Sequence, residues 1–230
     1  MYEISSSLLA AQKALHRIPY VSVTAENSRC GTAGLKWEKL YSGEEPDGAC
    51  GTAFTSGGVM IRIRVGPESD SRKLYRQRTA NPGSESDFSI WEYTGRYNIT
   101  AAAVCALGGE IDIIWTDTAG NIMCQKSIDG GLSWLTPESI GSSPLGEAVG
   151  IAAAFKPDGG AAVFFCEGAA LYLIENISGV WQPRISWDKT TGDLSGVAVS
   201  YDSDWNLLLA GNDTNDNPRL WSMIYGDGGN

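Results

Sequence analysis

The stretch Ser127-Ile128-Asp129-Gly130-Gly131-Leu132-Ser133-Trp134 reads S-x-D-x-G-x-x-W, and its chemistry is that of a tight turn between two β-strands. Asp and Gly fall where a hairpin needs a positive φ or a side chain bonded to nearby backbone, because glycine lacks a Cβ and a carboxylate accepts from turn N–H groups. The tryptophan is then expected to cap the next strand into the sheet core. Such a turn specifies an architecture and leaves the chemistry open.

Working outward, the tryptophan recurs at one phase of a longer unit: Leu35-Lys36-Trp37-Glu38, Ser89-Ile90-Trp91-Glu92, Leu132-Ser133-Trp134-Leu135 and Gly179-Val180-Trp181-Gln182. The separations are 54, 43 and 47 residues. Each tryptophan is followed by a loop and a run of small residues, at 48–54, 101–107, 150–155 and 196–201. Strongly apolar runs come next, at 59–65, 111–115, 161–165 and 205–210, and third runs lie at 74–78, 122–126, 171–175 and 220–224. Four strands per unit at this period, the innermost built from small side chains, describe the blade of a β-propeller. The expected fold is all-β, with four visible four-stranded antiparallel blades over residues 35–230. Residues 48–65, 100–116, 147–166 and 194–210 should form their two inner strands.

The two ends of the repeat do not match, and two readings stay open. The last unit has three strands and then Tyr225-Gly226-Asp227-Gly228-Gly229-Asn230, so the Trp37 strand either completes that blade and closes a four-bladed ring, or the chain is part of a longer polypeptide with more blades. Ahead of the repeats, the segment from Ser5 to Arg17 carries capping serines and good helix formers, and reads as a short helix before a strand at 20–24. Its Leu8, Leu9, Ala11 and Leu15 form an apolar stripe without an evident partner in the repeats. Residues 1–34 are therefore expected to be a docking segment in a homo-oligomer or larger assembly.

The 127–134 block resembles the Asp-box (BNR repeat) of sialidase-like β-propellers, with Ser127, Asp129, Gly131 and Trp134 in its structural positions and Trp37, Trp91 and Trp181 as the blade tryptophans. The motif is complete only there: the turn before Trp181 is short and lacks the Asp, and the one before Trp91 is longer. A weaker likeness, over 74–88 and the helix-like start, is to uncharacterised propeller proteins of prophage-like bacterial gene clusters. The sialidase-like resemblance implies an arginine that holds a carboxylate, and Arg17 in Arg17-Ile18-Pro19 matches that pattern. Read from the residues alone, Arg17 has a surface or packing role, and Arg62, Arg64, Arg76 and Arg78 alternate as on a solvated sheet face.

Composition narrows the function classes. A chain of 230 residues with 28 Gly, 9 Pro and 19% charged residues suits many short strands and tight turns. Its net charge of −10 repels phosphate backbones, so no nucleic-acid partner is expected, and no apolar run is long enough for membrane insertion. The start does not read as a secretory signal, because Gln12 and Lys13 interrupt its apolar stretch. An extracellular or virion-associated location without a classical signal peptide is the expectation. Of five cysteines, Cys105, Cys124 and Cys166 read as core residues; Cys30 and Cys50 read as free thiols by default, with a disulfide between them as the alternative.

With His16 as the sole histidine, neither a catalytic triad nor a histidine metal site is well supplied, and no catalytic residue, metal or cofactor is assigned. The candidate binding residues are Trp187, Asp188 and, through the resemblance above, Arg17; Trp187 and Asp188 are read as lying in a loop where the indole would stack on a sugar or partner surface, with burial between blades as the alternative. The leading expectation is a non-enzymatic structural or attachment module of a virion-like or surface assembly, binding protein or glycan partners. A sialidase-like glycoside hydrolase or glycan-binding lectin is the alternative.

Overall fold

The computed structural model describes residues 21–23, 37–39, 50–82, 85–143, 150–189, 194–201, 206–213 and 218–223. A small hairpin, β1 (Val21–Val23) and β2 (Trp37–Lys39), precedes four antiparallel sheets. The first sheet is β3 (Cys50–Phe54), β4 (Met60–Val65), β5 (Leu74–Thr79) and β6 (Glu92–Tyr93). The second is β7 (Ile99–Leu107), β8 (Glu110–Asp117), β9 (Asn121–Ser127) and β10 (Glu138–Ser142). The third is β11 (Gly150–Phe155), β12 (Ala161–Glu167) and β13 (Ala170–Ile177), flanked by the two-residue β14 (Val180–Trp181) and the outer strand β15 (Ile185–Lys189). The fourth has β16 (Leu194–Tyr201), β17 (Leu207–Asp213) and β18 (Pro218–Met223). The expected inner-strand pairs are present in all four.

Each sheet is a blade, and successive blades pack face to face through the two-residue alternation of their strands. In β4, Ile61, Ile63 and Val65 join Ala102, Val104, Ile111, Ile113 and Trp115 between blades 1 and 2. The opposite face of blade 2 presents Ala101, Ala103, Cys105, Ile114 and Cys124 to Ile151, Val163, Phe165 and Ile174 of blade 3. Phe164, Leu171 and Leu173 then meet Val197, Leu207 and Leu209 of blade 4. Cys105, Cys124 and Cys166 are buried free thiols, as their strand positions suggested, and burial pushes each thiol up, Cys166 to about 12.

Small residues sit innermost because the inner strands approach closely: β3 packs on β7, β7 on β11 and β11 on β16. A Cβ built on Gly51 would lie 3.3 Å from Cγ1 of Val104, and one on Gly150 would lie 2.9 Å from Cα of Gly196. Among the described residues no comparable packing joins β16 back to β3. The strand exchange envisaged for Trp37 is not what its strand does, since Trp37–Lys39 pairs with Val21–Val23 and the last blade holds three described strands. Closing a 13-residue loop costs less chain entropy than recruiting a partner from the far end of the chain. The expected helix at Ser5 to Arg17 lies outside the described residues, as do Arg17, Cys30 and the side chains of Cys50 and Trp37.

Candidate functional site

The 127–134 turn is held by its own side chains. The buried Ser127 hydroxyl accepts from the Gly131 N–H at 2.8 Å and donates to Oδ1 of Asp129 at 2.8 Å. Oδ1 also accepts from the N–H groups of Leu132 (3.0 Å) and Ser133 (2.9 Å), and the Ser133 hydroxyl donates to Oδ2 at 2.6 Å. Bonds from the Ser133 hydroxyl and N–H, then from Ser127, hold the Asp129 carboxyl down to about 2. Gly130 and Gly131 have φ of 70° and 83°, a conformation that side-chain-bearing residues rarely adopt.

Tertiary structure gives this turn a second task. The Gly130 carbonyl accepts from Nε of Arg78 at 2.7 Å, and a Cβ on Gly131 would lie 2.8 Å from Cδ1 of Ile61, so the turn of blade 2 is docked on blade 1. Trp134 reaches a sheet core, and that core is the one shared with blade 1. The residue lies in the connection before β10, half-buried against the core between blades 1 and 2, with the Arg76 guanidinium 4.5 Å from its ring centroid. Trp181 repeats the role one blade on: it packs against the core between blades 2 and 3, and its indole N–H donates to Oε1 of Glu138 at 3.0 Å. The tryptophan is thus a clasp onto the preceding blade. Trp91, just before β6, instead faces Arg62 and Arg64 of its own blade.

Because Trp134 is half-buried, Trp134→Ala is expected to cost about 2 kcal/mol, below the range for a fully buried tryptophan. Urea unfolding checks this, and an unchanged midpoint would show that the indole does not fasten the two blades.

Where Trp134 meets blade 1, a shallow groove opens, lined by Ile61, Arg76, Arg78, Glu92, Gly131 and Trp134, with Gln77 and Ser89 completing it. Arg76 and Glu92 are directly opposed across β5 and β6, and form a two-point pair, Nε to Oε2 at 3.0 Å and Nη2 to Oε1 at 2.7 Å. The Arg76 bonds hold the Glu92 carboxyl below its usual range. The Arg76 side chain is 13% exposed and that of Glu92 60%. The groove therefore offers a positioned fork of donors, a charged acceptor and an indole.

The sequence reading missed this site. Arg76 and Arg78 share a face with Ile61 and Ile63, across from which they pair, and are half-covered by the turn of blade 2; Arg62 and Arg64 lie on the other face, where Arg62 is 5% exposed, stacked on Phe88 and bonded to Gln77. None of the four stands on a freely solvated face as expected. Alternation in the sequence assigns faces but says nothing of what covers them; the available hint was the Arg-x-Arg spacing one blade before a complete turn motif. Trp187 and Asp188 are in strand β15 rather than a loop, and Trp187 is the extra residue of a bulge between the pairs Leu171↔Asp188 and Tyr172↔Ser186. Their side chains lie outside the described residues.

No family model matches the sequence, and no curated protein sequence matches it. Solved structures do. Aleuria aurantia lectin, in a mutant complexed with α-methyl-L-fucoside, is similar over 84% of this chain and 64% of its own, with a TM-score of 0.62 and 15% identity. A mutant of NanB sialidase from Streptococcus pneumoniae is similar over 89% of this chain and 34% of its own, with a TM-score of 0.56 and 18% identity. A protein of unknown function from Dyadobacter fermentans is similar over 82% and 64%, with a TM-score of 0.54 and 13% identity. The chain thus spans less than two thirds of each of these proteins. Likeness at such identities concerns the fold, and together with the four radial sheets it shows the chain to be an all-β propeller of four-stranded antiparallel blades.

Proposed function

We propose that the chain is a non-enzymatic carbohydrate-binding propeller module, and that a sugar occupies the groove between blades 1 and 2. The observation that carries this is the Arg76–Glu92 pair beside Trp134. Sugars need that combination: hydroxyls accept from a guanidinium and donate to a carboxylate, while the apolar ring face lies on an aromatic side chain. Both charged groups are held by each other before any ligand arrives, which lowers the ordering cost of binding. In this reading the 127–134 turn is an Asp-box that also builds the wall of the site, and the lectin and sialidase neighbours support a glycan as the ligand class. The low charge density and net charge of −10 support an extracellular or virion-like setting, with residues 1–34 docking the module into an assembly.

The test is a panel of free sugars, methyl α-L-fucoside and N-acetylneuraminic acid among them, titrated by ligand-observed NMR, with a fluorogenic sialoside assayed alongside. At least one sugar is expected to bind, with affinity reduced about 10-fold or more in Arg76→Ala and in Glu92→Gln, and no sialoside turnover is expected. Binding that both variants leave untouched would move the site elsewhere, and turnover would replace the module with an enzyme.

A further inference from the structure

The two ends of the propeller differ in chemistry. One end is made by the hairpins β3–β4, β7–β8 and β11–β12 and by the turns that follow β9 and β13. Phe54, Leu107, Ile128, Leu132, Ile177 and Val180 all lie there, each between 43% and 72% exposed. The other end is made by the β4–β5, β6–β7, β8–β9 and β12–β13 connections, and among their described residues Tyr97 is the one exposed large hydrophobic. Glu68, Asp70, Arg72, Lys73 and Arg96 stand there instead.

The apolar end is continuous across three blades. The Ser56 N–H donates to the Gly108 carbonyl at 3.0 Å, joining the first hairpin to the second, and the Gly130 N–H donates to the Gly109 carbonyl at 2.9 Å, joining the second to the 127–134 turn. On the third hairpin, a Cβ on Gly159 would lie 4.0 Å from Cδ2 of Leu107, and one on Gly160 would run into the Asn176 carbonyl. The three hairpin tips are Gly57-Gly58, Gly108-Gly109 and Gly159-Gly160. Positive φ accounts for Gly58, Gly108 and Gly159, and the Asn176 carbonyl for Gly160. Neither reason holds at Gly57 or Gly109, where the backbone is ordinary and the nearest heavy atom to a Cβ is 3.8 Å away. What glycine provides there is a tip without a side chain, which leaves the six apolar residues open to a flat partner.

The charges of this end are satisfied internally. The Asp129 carboxylate is filled by its own turn, Asp158 accepts from the Gly160 N–H at 2.9 Å, and the ammonium groups of Lys126 and Lys156 are held by Glu110 and Glu175. Among the described residues of these hairpins and turns no cation is left unpaired, so the end has no charge to offer an anionic lipid surface and does not select a charged partner. At roughly 100 Å² apiece the six side chains offer about 600 Å² of apolar surface, and with the turn backbone between them about the 800 Å² that each partner gives to a standard-size interface.

We propose that this end is a homodimer interface, in which a second copy of the chain meets it face to face about a two-fold axis. A two-fold pairs a patch with itself, so both sides are apolar, satisfied in charge and of matching size. The contact uses neither residues 1–34 nor the Arg76–Glu92 pair.

Sedimentation velocity of the full chain over a wide range of concentration tests this, and a monomer–dimer equilibrium is expected. Gly109→Arg, for which the folded monomer has room, and Leu107→Glu, at a side chain already exposed, should each raise the dimer Kd about 10-fold or more, because each brings an unpaired charge into the apolar contact. Tyr97→Glu, at the opposite end, should leave it unchanged. Urea unfolding identifies a variant that has lost its fold, and the other then decides. A chain that stays monomeric, a dimer indifferent to Gly109→Arg and Leu107→Glu, or one weakened equally by Tyr97→Glu would overturn the proposal. Flotation of the chain with phosphatidylcholine vesicles would overturn it too, by giving the face to lipid.

Discussion

Asp112→Asn is expected to stabilise the protein by about 4 kcal/mol at pH 8 and to leave its stability at pH 4 nearly unchanged. Asp112 lies on β8, fully buried, on the face turned toward blade 3, and among the described residues no donor reaches either carboxylate oxygen. Its register partners are Cys105 on β7 and Lys126 on β9, but the Lys126 ammonium is held by Glu110 at 2.5 Å. Burial raises the carboxyl from 3.8 to about 7, against a smaller lowering by Lys126. The sign follows from proton binding: between pH 4 and 7 the unfolded chain has released this proton and the folded chain keeps it, so stability is fully present below the unfolded value and falls as pH rises toward the folded one. Above about 7 both states are ionised and the loss is complete. Asn copies the neutral carboxyl and has no such slope. Urea unfolding of both proteins at pH 4, 6 and 8 reads the difference directly, and parallel pH profiles would show that the folded state supplies Asp112 with a partner.

Gly150→Val is expected to cost about 3 kcal/mol, lowering the melting temperature by roughly 10 °C. Gly150 opens β11, and there the inner strands of blades 3 and 4 touch backbone to backbone: a Cβ would meet Cα of Gly196 at 2.9 Å and the Val197 nitrogen at 3.4 Å. Backbone held in hydrogen-bonded strands cannot swing aside as a side chain does, so the added atoms must push two blades apart. Gly57→Ala is the control, because its Cβ would meet only Oγ1 of Thr55 at 3.8 Å, and it should change stability by no more than about 0.5 kcal/mol. Calorimetry of the two variants decides the matter; a Gly150→Val protein as stable as the control would mean that the blades are loosely packed at the axis.

The legible part of the site was its turn. Asp129 and Gly131 could be read because their work is local, each bond falling within four residues of its donor. Arg76 and Glu92 could not, since their pairing depends on β5 meeting β6 across a 12-residue connection, and their groove on a turn 52 residues after Arg78 folding back onto it. Trp134 shows both sides within one residue: its recurrence exposed the repeat, while its direction, toward the preceding blade, came from the packing.

The amino-acid sequence by itself determined the all-β class, the inner and third strands of four blades, the phase of the repeat and the burial of Cys105, Cys124 and Cys166. Those features follow from alternation, turn chemistry and side-chain size, which act between near neighbours and are repeated often enough to be counted. Only the tertiary structure decided that Trp37–Lys39 pairs with Val21–Val23, that Arg76 and Glu92 are joined under Trp134, and that Asp112 is buried, among the described residues, without a hydrogen-bond partner. Each of these depends on which surface covers which, and a two-residue period gives every strand two faces without saying which neighbour, or whether any, will lie against them.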